Sequence, residues 1–248
     1  MQYPLEITTH KKQNLFIILF GIFLTNAIVA EIIGVKIFSL ESTLGFQQLH
    51  LNVFGFIWDI NQTAGALNWP FVFITSDIIN EYFGRKGVKK ISYYTAGFIA
   101  YSFLMIYAAT LLTPADFWLE INKGDDNFNI NTAFAKIFRQ GLGIIIGSLT
   151  AFLVSQILDA YVFHRIRTAT GNKKLWLRAT GSTLVSQLID SFVVLGIAFV
   201  LFGNWTTSQW ISTAMNNYIY KFTIAILLTP LIYLAHYWID KYLELEKN

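Results

Sequence analysis

Six long apolar runs, separated by short charged stretches, dominate this chain of 248 residues. A helix needs about 20 mostly apolar residues to cross the hydrocarbon of a bilayer. The runs 13–33, 66–83, 91–112, 142–163, 179–202 and 217–237 approach or reach that length. Only 13% of residues are charged, about half the share usual in a soluble domain. The expected fold is a single domain over residues 1–248, an all-α integral membrane bundle of six spans. The second run is the weakest, because Asn68, Asp77, Asn80 and Glu81 interrupt it.

Lys11 and Lys12 precede the first run as the basic region of a signal peptide would. The run is longer than a usual signal core, and "IVAE" around Ala30 is a poor cleavage site. An uncleaved first helix is expected. The chain has no cysteine, which excludes disulfides and thiolate metal sites. Four scattered histidines form no HExxH pattern, no Walker motif is present, and no cofactor is implied. A net charge of +3 says nothing by itself about nucleic acid, and no nucleic-acid partner is expected.

Lysine and arginine set the orientation of spans. The N-terminal tail, "GRKGVKK", "HRIRTATGNKKLWLR" and the C-terminal tail together hold thirteen of them. The opposite loops hold Lys36, Lys123, Lys136 and Arg139. Both termini are therefore expected in the cytoplasm. Two exterior loops are long. Residues 36–65 contain the partly alternating "LHLNVFGFIWDI", which suits a short hairpin or an interfacial helix. Residues 113–141 begin acidic ("DFWLEINKGDD") and are expected to be solvated. A connector is the simpler reading of both.

Ionisable side chains inside spans are rare, and they face a cavity or a partner. Asp77 and Glu81 lie four apart on one helix face, and Gln156 and Asp159 lie three apart, as do Gln187 and Asp190. The last two pairs belong to a repeat, "VSQILDAYVF" at 154–163 and "VSQLIDSFVV" at 185–194. At a rise of about 1.5 Å per residue, Gln156 is roughly 12 Å from the cytoplasmic end of its span, and Gln187 roughly 13 Å. Asp77 is about 10 Å from its own boundary at Gly84. Three helices thus bring polar groups to one layer, in the middle and cytoplasmic half. Adjacent spans with one motif suit a site between inverted repeats. The expected result is a pocket with two walls built by the repeat.

Simpler roles stand beside this one. Glu81 is open to pairing with Arg85, and Asp159 with Arg165 or Arg167. Lys221 is open to reaching outward to the interface. Glu31 reads as interfacial. Asn26, Gln156 and Gln187 are open to joining helices by hydrogen bonds. A pocket of carboxylates and amides suits a flat polar solute, because a carboxylate accepts two parallel N–H bonds and an amide both donates and accepts. Trp69 and Phe73, two turns and one turn before Asp77, are candidates to stack on such a ring. An intramembrane protease is disfavoured: Gly141-Leu142-Gly143 is followed by Ile144 rather than Asp, and no histidine lies within the first five runs. A purely structural protein would pair its polar groups and leave no cavity.

"WPFVFITSDIINEYFGRKGVKK" resembles the signature of the bacterial queuosine-precursor (vitamin-uptake) transporter family, except that Ser76 separates Thr75 from Asp77. The twin Ser-Gln-Asp segments, Asn26 with the Lys36 that follows it, and "YKFTIAILLTPLIYL" with Lys221 and Pro230 resemble the same family. The exterior segment 39–67 is longer than that pattern leads one to expect. The resemblance implies uptake of 7-cyano-7-deazaguanine, or its aminomethyl relative, across the bacterial inner membrane for making the tRNA base queuosine. It implies a small-molecule 7-deazaguanine and the lipid bilayer as partners, and leaves open a homo-oligomer or an energising partner. Substrate contacts would then fall to Asn26, Asp77, Glu81, Gln156, Asp159, Gln187, Asp190 and Lys221, with stacking on Trp69 or Phe73. A secondary carrier is the leading mode; a binding subunit of an ATP-driven complex is the alternative.

Overall fold

The structure, a computed structural model, describes residues 3–53, 56–120, 128–139, 142–171 and 174–243. Within these residues eight α-helices run in the order α1 (Tyr3–Ile33), α2 (Leu40–Thr43), α3 (Trp69–Thr110), α4 (Asp116–Leu119), α5 (Ile130–Phe138), α6 (Leu142–Thr170), α7 (Leu175–Leu195) and α8 (Thr207–Leu243). Among the described residues, five helical stretches are long and apolar enough to cross a membrane. α3 has 42 residues and would measure about 63 Å if straight, twice the hydrocarbon thickness. The second and third apolar runs both lie within it, on either side of a break at Gly84 (φ 66°, ψ −175°). Only glycine adopts that conformation readily.

α1 begins earlier than the apolar run, at Tyr3. α8 likewise starts at Thr207, ten residues before the sixth run. Pro230 lies inside α8. It removes one backbone donor and is tolerated where neighbouring groups compensate. The fifth run ends in a π turn, Gly196–Leu201.

The segment between α1 and α3 holds two small antiparallel ladders. β1 (Ile37–Ser39) pairs with β4 (Asn61–Thr63), and β2 (Leu51–Val53) pairs with β3 (Phe56–Trp58). The hairpin reading of this loop holds, and the interfacial-helix alternative does not. Glu41 ties the strands together, accepting from the backbone N–H of Ile60 at 2.7 Å and from Ser39 at 3.0 Å. In the 113–141 loop, α4 and α5 pack through Trp118 and Phe134. Arg139 donates to the hydroxyl and carbonyl of Thr110, fastening α5 to the end of α3. Lys123 and most of the acidic stretch lie outside the described residues.

The main core lies between α1, α3 and α6, around Phe23, Ile79, Ile91 and Phe152. α6 and α7 approach closely at Gly147: a Cβ there would stand 2.9 Å from the carbonyl of Val194. Large apolar side chains such as Ile17, Leu104, Leu227 and Leu231 point outward, as lipid-facing positions require. Replacing Gly84 by Ala forces a side chain into the glycine-only region, although the new Cβ would meet only ordinary contact with His164. We expect Gly84→Ala to lower stability by about 1–3 kcal/mol, read as an earlier unfolding midpoint in a detergent titration.

Candidate functional site

Two polar regions occupy the bundle, at different depths. The first is a cavity of about 450 Å³ at the hairpin end, a size typical of small-molecule sites. The C-terminal end of α1 contributes Glu31, the start of α3 contributes Trp69, and α6 contributes Ser148. α7 contributes Asp190, and the π turn after it contributes Phe199. α8 adds Asn217, Tyr220 and Lys221. Strand β4 closes one side with Asn61, Gln62 and Thr63. Asn216 of α8 donates to the carbonyl of Asp59 at 3.3 Å, which holds the hairpin against the bundle.

The centre of this cavity is an ion pair. Lys221 donates to Asp190, and both are buried. The ammonium also lies 5.6 Å from the centroid of the Trp69 ring, within cation–π range. Trp69 in turn stacks on Phe73 at 6.0 Å. Ser148 donates to Glu31, and both line the same cavity. The walls are otherwise mainly apolar. Such a chamber presents an aromatic face, one ammonium and two carboxylates to whatever enters it.

The second region is deeper in the bundle and is filled. Asp159 is 5% exposed. It accepts from Asn80 of α3 at 3.0 Å, and from Ser182 and Ser186 of α7 at 2.8 and 3.3 Å. Ser76 donates to Gln156 at 3.0 Å. Beyond this layer, Glu81 receives a two-point contact from Arg178, with Nε at 2.9 Å and NH2 at 2.7 Å. Arg167 adds a bond to the Glu81 carbonyl at 3.1 Å. Next to them Tyr82 donates to Asp240 at 2.5 Å and stacks on His236.

Of the residues singled out from the sequence, Trp69, Asp190 and Lys221 therefore meet in the cavity. Asp77 and Phe73 line a separate void of about 10 Å³ between α3, α7 and α8. Asn26 accepts from Asn68 at 3.0 Å and joins α1 to α3. Gln156 and Asp159 join α3, α6 and α7, and Glu81 joins α3 to α7. Gln187 is buried with its Oε1 unpartnered, outside the cavity wall.

Several expected partners differ. Glu81 pairs with Arg178 rather than Arg85, which instead lies 5.2 Å from the Tyr161 ring. Asp159 is held by an amide and hydroxyls rather than by Arg165 or Arg167. Lys221 does not reach outward, because Asp190 is closer and buried. Glu31 is inside the cavity rather than at the interface. The two copies of the repeat also diverge. Ser186 of the second copy reaches Asp159 of the first, whereas Ser155 of the first bonds its own helix at the Phe152 carbonyl. Asp190 is left for Lys221. The cavity groups missed from sequence are Glu31, Ser148, Asn217, Tyr220 and the β4 residues. Asn217 and Lys221, four apart, were the available signal.

Removing one partner of a buried ion pair leaves a charge uncompensated and costs about 3–5 kcal/mol. Arg178→Met is expected to destabilise by that amount. The double variant Glu81→Gln/Arg178→Met should recover much of the loss, read from thermal unfolding of both purified proteins.

Residues 63–235 match the family model described as a putative vitamin uptake transporter. The probable queuosine precursor transporter of Bacillus subtilis is 30% identical over 180 residues, which cover 72% of this chain and 73% of that one. The queuosine precursor transporter of Escherichia coli is 27% identical over 180 residues, 72% of each chain. The probable queuosine precursor transporter of Haemophilus influenzae is 27% identical over 173 residues, 69% of this chain and 66% of the other. No solved structure matches. The chain is a multi-pass membrane protein with a transport rather than an enzymatic role, and it belongs to the putative vitamin uptake transporter family.

Proposed function

We propose that this protein takes up queuosine precursors, 7-deazaguanines, across the bacterial inner membrane as a secondary carrier. The observation that carries the reading is the cavity in which Lys221, Asp190 and Trp69 meet. A 7-deazaguanine is planar, so the Trp69 face suits its ring. Its N1–H and exocyclic amine form a two-donor edge that a carboxylate accepts. Asp190 and Glu31 are the carboxylates in the cavity wall, and the Lys221 ammonium suits the ring carbonyl. Solute binding would compete with the Lys221–Asp190 contact, so each group would exchange one partner for another instead of being stripped bare. The relatives named as queuosine precursor transporters support this choice of solute.

The arrangement in the membrane is part of the same proposal. α3 crosses twice, turning at Gly84, so that six segments cross and both termini are cytoplasmic. The basic stretch just after Gly84 then lies inside, and the hairpins and the cavity lie toward the exterior. Because the chain has no cysteine, single replacements report position cleanly. In spheroplasts, Phe117→Cys should react with an impermeant maleimide before lysis, and Lys89→Cys only after it. The reverse pattern would invert the topology.

Transport itself is tested in a cell that makes no queuosine precursor and lacks its own transporter. Supplied with 7-cyano-7-deazaguanine, such cells expressing this chain should regain queuosine in tRNA. Asp190→Asn, Lys221→Met and Trp69→Ala, at equal levels in the membrane, should each need at least about tenfold more solute, equivalent to about 1.4 kcal/mol or more of lost binding. Unchanged uptake in all three would remove the cavity from the reading.

A further inference from the structure

Trp69, Phe73, Asp77 and Glu81 recur every fourth residue along α3 and form one slowly winding stripe. The stripe starts at the cavity, where Trp69 touches the Lys221 charge. It ends at the Glu81–Arg178 pair. Between them is Asp77, 2% exposed, with its Oδ1 buried and bonded to nothing. It faces the void of about 10 Å³, room for roughly one water molecule. The rest of that wall is Phe73, Ile74, Ala225, Leu228 and Ile232, with the hydroxyls of Thr180 and Thr183. A hard cation takes about six or more oxygens, which this void does not offer. A carboxyl group in an apolar chamber instead holds a proton.

The charges around Asp77 divide the roles. Asp159 on α6 and Glu81 on α3 are the carboxylates that act on it. Asp159 keeps three donors and Glu81 keeps the Arg178 guanidinium from α7, whereas the Asp77 Oδ1 keeps none. From α8 two titratable groups flank the void wall: Lys221, one turn before Ala225 and bonded to Asp190, and His236, one turn beyond Ile232, its Nε2 buried and unpartnered. Among neighbouring carboxylates in unlike surroundings, the one without donors takes the proton. Here that is Asp77.

Resting on the uptake reading above, we propose that Asp77 is a proton-binding site that couples solute entry to the proton gradient. Asp77 accepts one proton from water on the cavity side and holds it as a neutral carboxyl group while the solute crosses. It then releases the proton toward the cytoplasmic end, so one proton accompanies each solute and nothing is oxidised or reduced. The Trp69–Phe73 stack is the mechanical link between the occupied cavity and the carboxyl group.

The test uses the purified full chain in liposomes with labelled 7-cyano-7-deazaguanine. Wild type should accumulate solute under an inward proton gradient, about tenfold for each unit of pH at one proton per solute. Asp77→Asn, which mimics the protonated state, should keep exchange of labelled for unlabelled solute and lose accumulation. Asp77→Glu should restore part of it. Accumulation by Asp77→Asn, or wild-type exchange with no response to the gradient, overturns the proposal. A second readout is the infrared C=O band of a protonated carboxyl group, expected in wild type and absent in Asp77→Asn. A band unchanged by the substitution overturns the site, including in the case where Asp77→Asn loses exchange as well. If wild type exchanges no 7-deazaguanine, the uptake reading fails, and the infrared band still decides whether Asp77 holds a proton.

Discussion

The carboxylate of Asp159 is where three helices are tied together. In hydrocarbon an unpartnered polar group is expensive, and water is not there to relieve it. Asp159 solves this by drawing Asn80 from α3 and two serines from α7 onto a single side chain. The bonds set the rotation of α3 and α7 relative to α6. That rotation in turn brings Asp190, one turn beyond Ser186, toward α8, where Lys221 meets it. It also places Glu81 against Arg178. The cavity wall and the closed inner end therefore share one anchor.

This anchor divides the bundle into a half that holds the cavity and a half that is filled. Toward the hairpins the helices part and leave room for a solute. Toward the other end, ion pairs and the Tyr82–Asp240–His236 contacts fill the space. Passage would require the inner contacts to part and the outer wall to close. The Gly84 break suits such a change, because the two halves of α3 are not one rigid rod.

Much of the fold was legible in the sequence. Apolar run length located the helical stretches, and a few of the candidates inside them line the cavity. Lys221, Asp190 and Trp69 were all visible as candidates. What sequence could not supply was partner choice. Spacing placed Gln156 and Asp159 on one face, but whether that face met a cavity or another helix depended on rotations set by packing. A lysine four residues into a run reads equally as an outward-reaching side chain or as an ion-pair partner, until its neighbour is known. Glu31 was misjudged because depth counted along one helix ignores the hairpin that covers its end. The repeat misled in a similar way: identical letters on α6 and α7 took different partners, since only one copy faces α8.

The π turn at Gly196–Leu201 has a consequence for how chains of this kind can vary. A π turn holds one residue more than the α-helical turn it replaces. Loss of a single residue there would restore an ordinary helix and swing the segment beyond it by about 100°. Phe199 would leave the cavity wall, while everything before it, including Asp159's serines and Asp190, would stay in register. The chamber's shape can thus be retuned by one codon without disturbing the anchor beneath it, a place where solute preference is free to drift while the scaffold stays as it is.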